Sequence, residues 1–148
     1  MSDEYLALQV IMMPKDANPV PTPLPGHPHN STYCTIFGGV LLSYIDQAGA
    51  IAAYREVIRA GGDPPMLVTV AFNRVEFLKP VLVGDVVRFM TKAVRFGRTS
   101  ITMHVRVEAE RGTDVIQVTE AEVVYVGVEP VDGDRRPKAL LPDGTSPP

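Results

Sequence analysis

The stretch from Phe37 to about Ala60 most restricts what this chain can become. Following a Gly-Gly pair it reads VLLSYIDQAGAIAAYREVIRA, with apolar residues on nearly every face up to Tyr54, interrupted by Asp46. That pattern predicts a single helix buried nearly all round. Gly61 and Gly62, followed by Pro64-Pro65, predict its end, because glycine supplies a left-handed cap and proline cannot continue the spiral.

Beyond Pro65 the composition shifts to Val, Ile, Thr and Phe, and segments 66–78, 85–96, 99–110 and 114–129 read as strands. Ile101, Met103, Val105 and Val107 alternate with Thr102, His104, Arg106 and Glu108, the period of a sheet with one buried face. The links at 79–84, 97–98 and 111–113 are short enough for antiparallel neighbours. With an early strand over 5–13, the order is β-α-β-β-β-β, an α+β domain in which a long central helix lies against a curved antiparallel sheet. So small a sheet cannot cover so apolar a helix on all sides. A second copy of the chain is therefore expected to bury part of the helix or a sheet edge.

The chain has 148 residues, 45% of them hydrophobic, enough for one core. We expect a single domain over 1–130 with a proline-rich insertion at 18–32, where Pro19, Pro21, Pro23, Pro25 and Pro28 forbid helix and central strand. The remainder, 131–148, reads as a polar, proline-rich, poorly packed tail. A net charge of −3 argues against nucleic acid as a partner. The single cysteine, Cys34, excludes an intrachain disulfide framework, and no stretch has the ~20 apolar residues of a membrane span. The N-terminus lacks the basic start of a secretory signal, so a cytoplasmic location is expected.

Asp46 stands out chemically. It lies mid-helix between Leu41, Leu42 and Ile45 on one side and Ala48, Ala50 and Ile51 on the other. Apolar burial penalises a charged carboxylate and raises its pKa, which suits a general base or a reactive nucleophile. The residues alone leave a second reading open, in which Asp46 bonds a loop amide or an interface cation. Ser43 and Gln47 complete a narrow polar strip with it. Gly38 and Gly39 begin the helix, where free amides and the positive dipole end can hold a carbonyl oxygen gaining charge. Seven residues separate Gly39 from Asp46, about 10 Å at ~1.5 Å per residue. If both act on one carbonyl carbon, they must come from different subunits.

TIFGGVLLSYIDQAGAI at 35–51, VTVAFNRVEFLKPVLVGDVV at 68–87 and FGRTSI at 96–101 resemble, in order and spacing, the hotdog-fold acyl-CoA thioesterases. The resemblance covers about 5–128. It implies a hotdog fold and hydrolysis of an acyl-CoA to free acid and coenzyme A at a site shared between subunits of a dimer or a multiple of dimers, tetramer or hexamer. Asp46 takes the position of the family's base or nucleophile and Gly39 that of its oxyanion donor, with Phe37 and Gly38 beside the substrate. Coenzyme A is then part of the substrate, and no separate cofactor is implied.

The family's asparagine ahead of the glycines is displaced here. Asp16-Ala17-Asn18 begins that pattern and the proline-rich stretch interrupts it, leaving Asn18 or Asn30 as the candidate; Ser31 occupies the ungapped position and Cys34 replaces a usual glycine. The FGRTSI turn resembles the segment near the pantetheine and phosphates, nominating Arg98, Thr99 and Ser100, since an arginine fork suits phosphate oxygens. His27 and His29 lack further ligands at any metal-site spacing, and His104 reads as structural. A dehydratase of the same fold would need a catalytic histidine near the helix; His27 and His29 lie in the proline-rich arm instead. The other alternative is a non-catalytic acyl-CoA-binding or regulatory hotdog protein that keeps the pocket and has lost the hydrolytic set.

Overall fold

A computed structural model describes residues 3–19 and 34–148. The order is β1 (Tyr5–Ile11), a short 3-10 turn (Pro14–Asp16), α1 (Gly38–Arg59), β2 (Leu67–Asn73), β3 (Val86–Phe96), β4 (Ser100–Arg111), β5 (Asp114–Val131) and β6 (Asp134–Pro137). The strands form one antiparallel sheet in the order β1-β3-β4-β5-β2, with β6 added to β5. The helix packs across this sheet as the alternation in 99–110 requires. Ile101, Met103, Val105, Val107 and Ala109 of β4 are fully buried against it, together with Val87 and Phe89 of β3 and Val123 and Tyr125 of β5.

Leu41, Ile45, Ala48, Gly49, Ala52, Ala53 and Val57 form the buried face of α1, at helical spacing. Most of the central ones are small, which lets the helix approach the strands closely. Burial all round is not reached within one chain. Ile51, Tyr54 and Ile58 remain more than 40% exposed, because the sheet covers only one side of the helix. The C-terminus closes as expected: Gly61 adopts φ +99°, its N–H donates to the Ile58 carbonyl, and that of Gly62 donates to Val57.

The second strand is shorter than its apolar run suggested. It ends at Asn73 because Arg74 takes a left-handed φ of +52° that breaks the extended chain. The tail also departs from expectation. Asp132 and Gly133 both have positive φ and turn the chain back into β6, the two-residue Asp-Gly hairpin loop that such dipeptides favour. Beyond β6, Leu140 is buried in the core, at 5% exposure. The polar composition of 131–148 concealed both features.

The loop before β3 sets where the helix begins. Val81 accepts from the Ile36 N–H and Cys34 accepts from the Val83 N–H, so residues 80–85 hold the chain that leads into α1. Asp85 is 2% exposed and pins this loop, accepting from the Leu82 N–H at 2.9 Å and from Arg111 through Nε at 3.0 Å and Nη2 at 2.8 Å. Asp85→Ala should lower unfolding free energy by about 2–3 kcal/mol, somewhat less than a fully buried pair would cost, because Arg111 keeps some access to water. Denaturant titration at neutral pH measures this; a loss below about 0.5 kcal/mol would show that the pair contributes little.

Candidate active site

Asp46 lies on the flank of α1 facing the seam with β2 and β5. Thr69 and Tyr125 are directly opposite each other in the β2–β5 ladder, and a bulge follows Thr69 before Ala71. Cross-strand pairing thus presents two hydroxyls to the helix at one level. Thr69 Oγ1 donates to Asp46 Oδ1 at 2.7 Å. The Tyr125 hydroxyl is 2.7 Å from the Asp46 backbone carbonyl and 3.2 Å from the same Oδ1. Asp46 Oδ2 has no partner among the described residues and is free for chemistry.

Gly49, one turn along the same helix, makes this arrangement possible. A Cβ there would collide with the Tyr125 hydroxyl, so any side chain would lift the helix or displace the ring. Tyr125 itself is 1% exposed. Burial raises its pKa well above the usual phenol range, and the charge of Asp46 and their hydrogen bond push it further in the same direction. Tyr125 therefore remains a proton donor to Asp46 at any ordinary pH.

The setting of Asp46 differs from the apolar enclosure expected of it: the residue is only partly buried, and its carboxylate meets hydroxyls. Ser43 and Gln47 do not join it. Gln47 Nε2 donates to Ser43 Oγ at 3.3 Å on the open side of the helix.

The N-terminus of α1 has no side-chain cap; Phe37 is the N-cap and is 52% exposed. The Val40 N–H donates to the Phe37 carbonyl, whereas the amides of Gly38 and Gly39 have no acceptor among the described residues. A Cβ on Gly39 would come 2.9 Å from the Phe37 ring, so glycine keeps this face open. Asn18 folds back to this end of the helix. Its Nδ2 donates to Thr35 Oγ1 at 2.9 Å and to the Ile36 carbonyl at 3.5 Å, fastening the segment that precedes the glycines. Asn30, Ser31, His27 and His29 lie outside the described residues.

Arg98, Thr99 and Ser100 occupy the β3–β4 turn. The Gly97 N–H donates to the Ser100 carbonyl, Gly127 to Thr99, and Leu140 to Arg98. The exposed Arg98 side chain makes no hydrogen bond or ion pair among the described residues. Leu140 also lies against Gly62, so this turn stands near the C-terminal end of α1 and the glycine amides stand at its N-terminal end. One chain therefore does not bring Gly39, Asp46 and Arg98 together. His104 lies on the sheet face away from the helix, with Nε2 at 3.1 Å from Glu120, and takes no part in the site. Among the described residues there is no cluster of three metal-ligating side chains.

The family model of the thioesterase superfamily matches residues 33–116, more than half of the chain. The chain belongs to the thioesterase superfamily. Within that family, the acyl-CoA thioester hydrolase YciA of Salmonella typhimurium is 35% identical over 137 residues, covering 89% of this chain and 88% of the relative. The hexameric hotdog-fold thioesterase Cj0915 of Campylobacter jejuni superposes with a TM-score of 0.70 at 37% identity, covering 90% and 88% of the two chains. HI0827, a hexameric broad-specificity acyl-coenzyme A thioesterase solved as a variant with one aspartate replaced by alanine, superposes with a TM-score of 0.70 at 29% identity, covering 95% and 89%. The helix-on-sheet architecture is thus the hotdog fold that the sequence resemblance implied.

The sequence nominated Asp46 but missed Thr69, Tyr125 and Gly49. Gly49 was the available signal, because a glycine inside an otherwise strong helix marks a close approach. Tyr125→Phe should cost about 1.5 kcal/mol of stability at neutral pH, as a hydroxyl bonded to a buried carbonyl and a carboxylate is lost. A phenol with a raised folded pKa contributes stability that is complete below its unfolded value, near 10, and lost above it. The gap between wild type and variant should therefore hold constant up to about pH 9 and narrow as the pH rises past about 10. Paired denaturant titrations test this; a constant gap would show that Tyr125 ionises equally in both states.

Proposed function

We propose that the protein hydrolyses acyl-CoA thioesters to free acid and coenzyme A, with Asp46 as base or nucleophile and the Gly39 amide of a second copy as oxyanion donor. The observation behind this reading is the Asp46 carboxylate, held through Oδ1 by Thr69 and Tyr125 with Oδ2 free. As a base, Oδ2 takes a proton from water while the water oxygen attacks the thioester carbon. The carbonyl becomes an oxyanion within reach of a helix N-terminal amide. Collapse of the intermediate breaks the C–S bond, and Asp46 returns the proton to the departing thiolate. As a nucleophile, Oδ2 attacks the thioester carbon and expels the thiolate of coenzyme A, and water then cleaves the resulting anhydride to the free acid and the Asp46 carboxylate.

The second copy is required by distance, since the Gly39 amide and Asp46 lie about 10 Å apart along one helix. Exposed apolar surface supports self-association as a dimer or a multiple of dimers. Ile51, Tyr54 and Ile58 lie open on α1, and Val70 and Phe72 on β2, the strand at the end of the sheet. Asp46 sits at the seam between these two surfaces. A partner placed there closes the site and covers the apolar stripe together. The hexameric relatives agree with this assembly. Arg98, at the far end of α1, is then the candidate for the phosphates of coenzyme A.

Asp46→Ala should reduce thiol release from a panel of short, medium and long acyl-CoAs by about 10³-fold while leaving the oligomer intact. Saturable binding of acyl-CoA with no release by either protein would instead identify a binding module. Mixing Asp46→Ala with Gly39→Val subunits should restore about a quarter of wild-type activity, because half of randomly formed dimers would contain one intact shared site. No recovery after verified subunit exchange would place both groups in one chain. Tyr54→Lys combined with Ile58→Glu should dissociate the assembly and abolish activity with Asp46 untouched, as read by light scattering and thiol release. An active monomer would refute the shared site.

A further inference from the structure

The C-terminal segment is built into the sheet at one particular place. β4 begins at Ser100, paired with Val126, and β6 ends at Pro137, paired with Val128, so the two strands lie end to end along one side of β5 with Gly127 between them. Gly127 bonds to both neighbours: its N–H donates to the Thr99 carbonyl at 2.8 Å, and its carbonyl accepts from the Lys138 N–H at 2.7 Å. Two residues later, the Leu140 N–H donates to the carbonyl of Arg98 at 2.9 Å.

The Leu140 side chain packs in the space that Gly127 leaves open, while its backbone carbonyl passes close to Gly62. A Cβ on Gly127 would come 2.7 Å from Leu140 Cδ2, and a Cβ on Gly62 would collide with the Leu140 carbonyl. These glycines belong to different elements, the last helical cap and the middle of β5, and both make room for the same residue. The turn that Leu140 fastens has otherwise one hydrogen bond of its own, from the Gly97 N–H to the Ser100 carbonyl, and one to Gly127. It presents Arg98, whose guanidinium is exposed and unpaired among the described residues, whereas Arg88, Arg106, Arg111 and Arg136 all hold carboxylates.

We propose that Leu140 is a positioning residue for the nucleotide end of the site: by seating its side chain over Gly127 and donating its N–H to the Arg98 carbonyl, it holds the 97–100 turn so that Arg98 meets the phosphates of the substrate. This rests on the acyl-CoA reading and on Arg98 as the phosphate ligand. An anchored backbone matters because a fork that must be ordered on binding loses affinity to the entropy of ordering.

The test compares an acyl-CoA with the corresponding acyl-N-acetylcysteamine, which keeps the thioester and lacks the nucleotide and its phosphates. Leu140→Ala should lower kcat/KM for the acyl-CoA roughly tenfold, through KM, and change that for the short thioester by less than about twofold. Leu140→Met, which refills the space over Gly127, should keep wild-type kinetics, and Arg98→Ala should discriminate between the substrates as Leu140→Ala does. A purely structural Leu140 would lower both substrates together or neither, and that result overturns the proposal while a selective Arg98→Ala preserves the role of Arg98. An unselective Arg98→Ala overturns both. Melting curves identify an unfolded Leu140→Ala, in which case Leu140→Val carries the comparison. Should the wild type release no thiol from either substrate, the hydrolase reading fails. Calorimetric titration with coenzyme A then decides: the proposal predicts weaker binding by Arg98→Ala and Leu140→Ala, and unchanged binding overturns it.

Discussion

The depth to which α1 settles on the sheet governs the rest of this structure. Ala48, Gly49, Ala52 and Ala53 bring the helix close enough for the Tyr125 hydroxyl to reach under Gly49 to the Asp46 carbonyl. A bulkier residue at any of these positions raises the helix, because interiors packed at crystal density cannot absorb extra volume without movement. The same closeness fixes Asp46, whose carboxylate meets Thr69 only while the helix lies at this height over β2. Packing and chemistry therefore share one geometric condition.

Much of the architecture could be read from periodicity. The alternation at Ile101 to Val107 became β4, the glycine and proline signals placed the end of α1 correctly, and the resemblance to hotdog thioesterases holds in fold and family. What could not be read were features that depend on partners distant in sequence. Thr69 and Tyr125 are ordinary strand residues until the ladder sets them face to face, and nothing local marks them as ligands of a carboxylate 23 and 79 residues away. Leu140 misled for the opposite reason. Its polar, proline-rich neighbourhood resembles a solvated tail, and only the space over Gly127, distant in sequence, shows where the leucine side chain fits. The Asp132-Gly133 dipeptide does signal its hairpin locally, against a surrounding composition that reads as a tail.

The division of labour along α1 explains why so much apolar surface remains open on a single chain. Free amides stand at one end, Asp46 stands two turns in, and the Arg98 turn lies near the other end. On the proposed reading the substrate is a thioester with a long nucleotide handle, which these groups would span only with two helices side by side. The apolar stripe at Ile51, Tyr54 and Ile58 supplies the force for that pairing, at about 25 cal/mol per Å² of apolar area removed from water. On that reading, folding of the monomer leaves exposed the surface that would complete the site.

Three aspartates with buried or partly buried carboxylates differ in how their two oxygens are used, a difference that sets Asp46, the proposed catalytic aspartate, apart from two structural ones. Asp85 uses Oδ1 on Arg111 and Oδ2 on Arg111 and the Leu82 amide. Asp16 uses Oδ1 on Lys15 and Oδ2 on the Met13 amide. Both are held by a cation and an amide with neither oxygen spare, so each carboxylate is spent on structure. Asp46 has no cation among its hydrogen-bond partners. Two neutral hydroxyls share one of its oxygens, orienting the carboxylate without neutralising it, and the other oxygen has no donor among the described residues. A carboxylate fixed in direction and left with an open lone pair at an apolar seam can accept a proton or attack a carbonyl carbon. Replacing Thr69 or Tyr125 by a cation would turn Asp46 into a second Asp85.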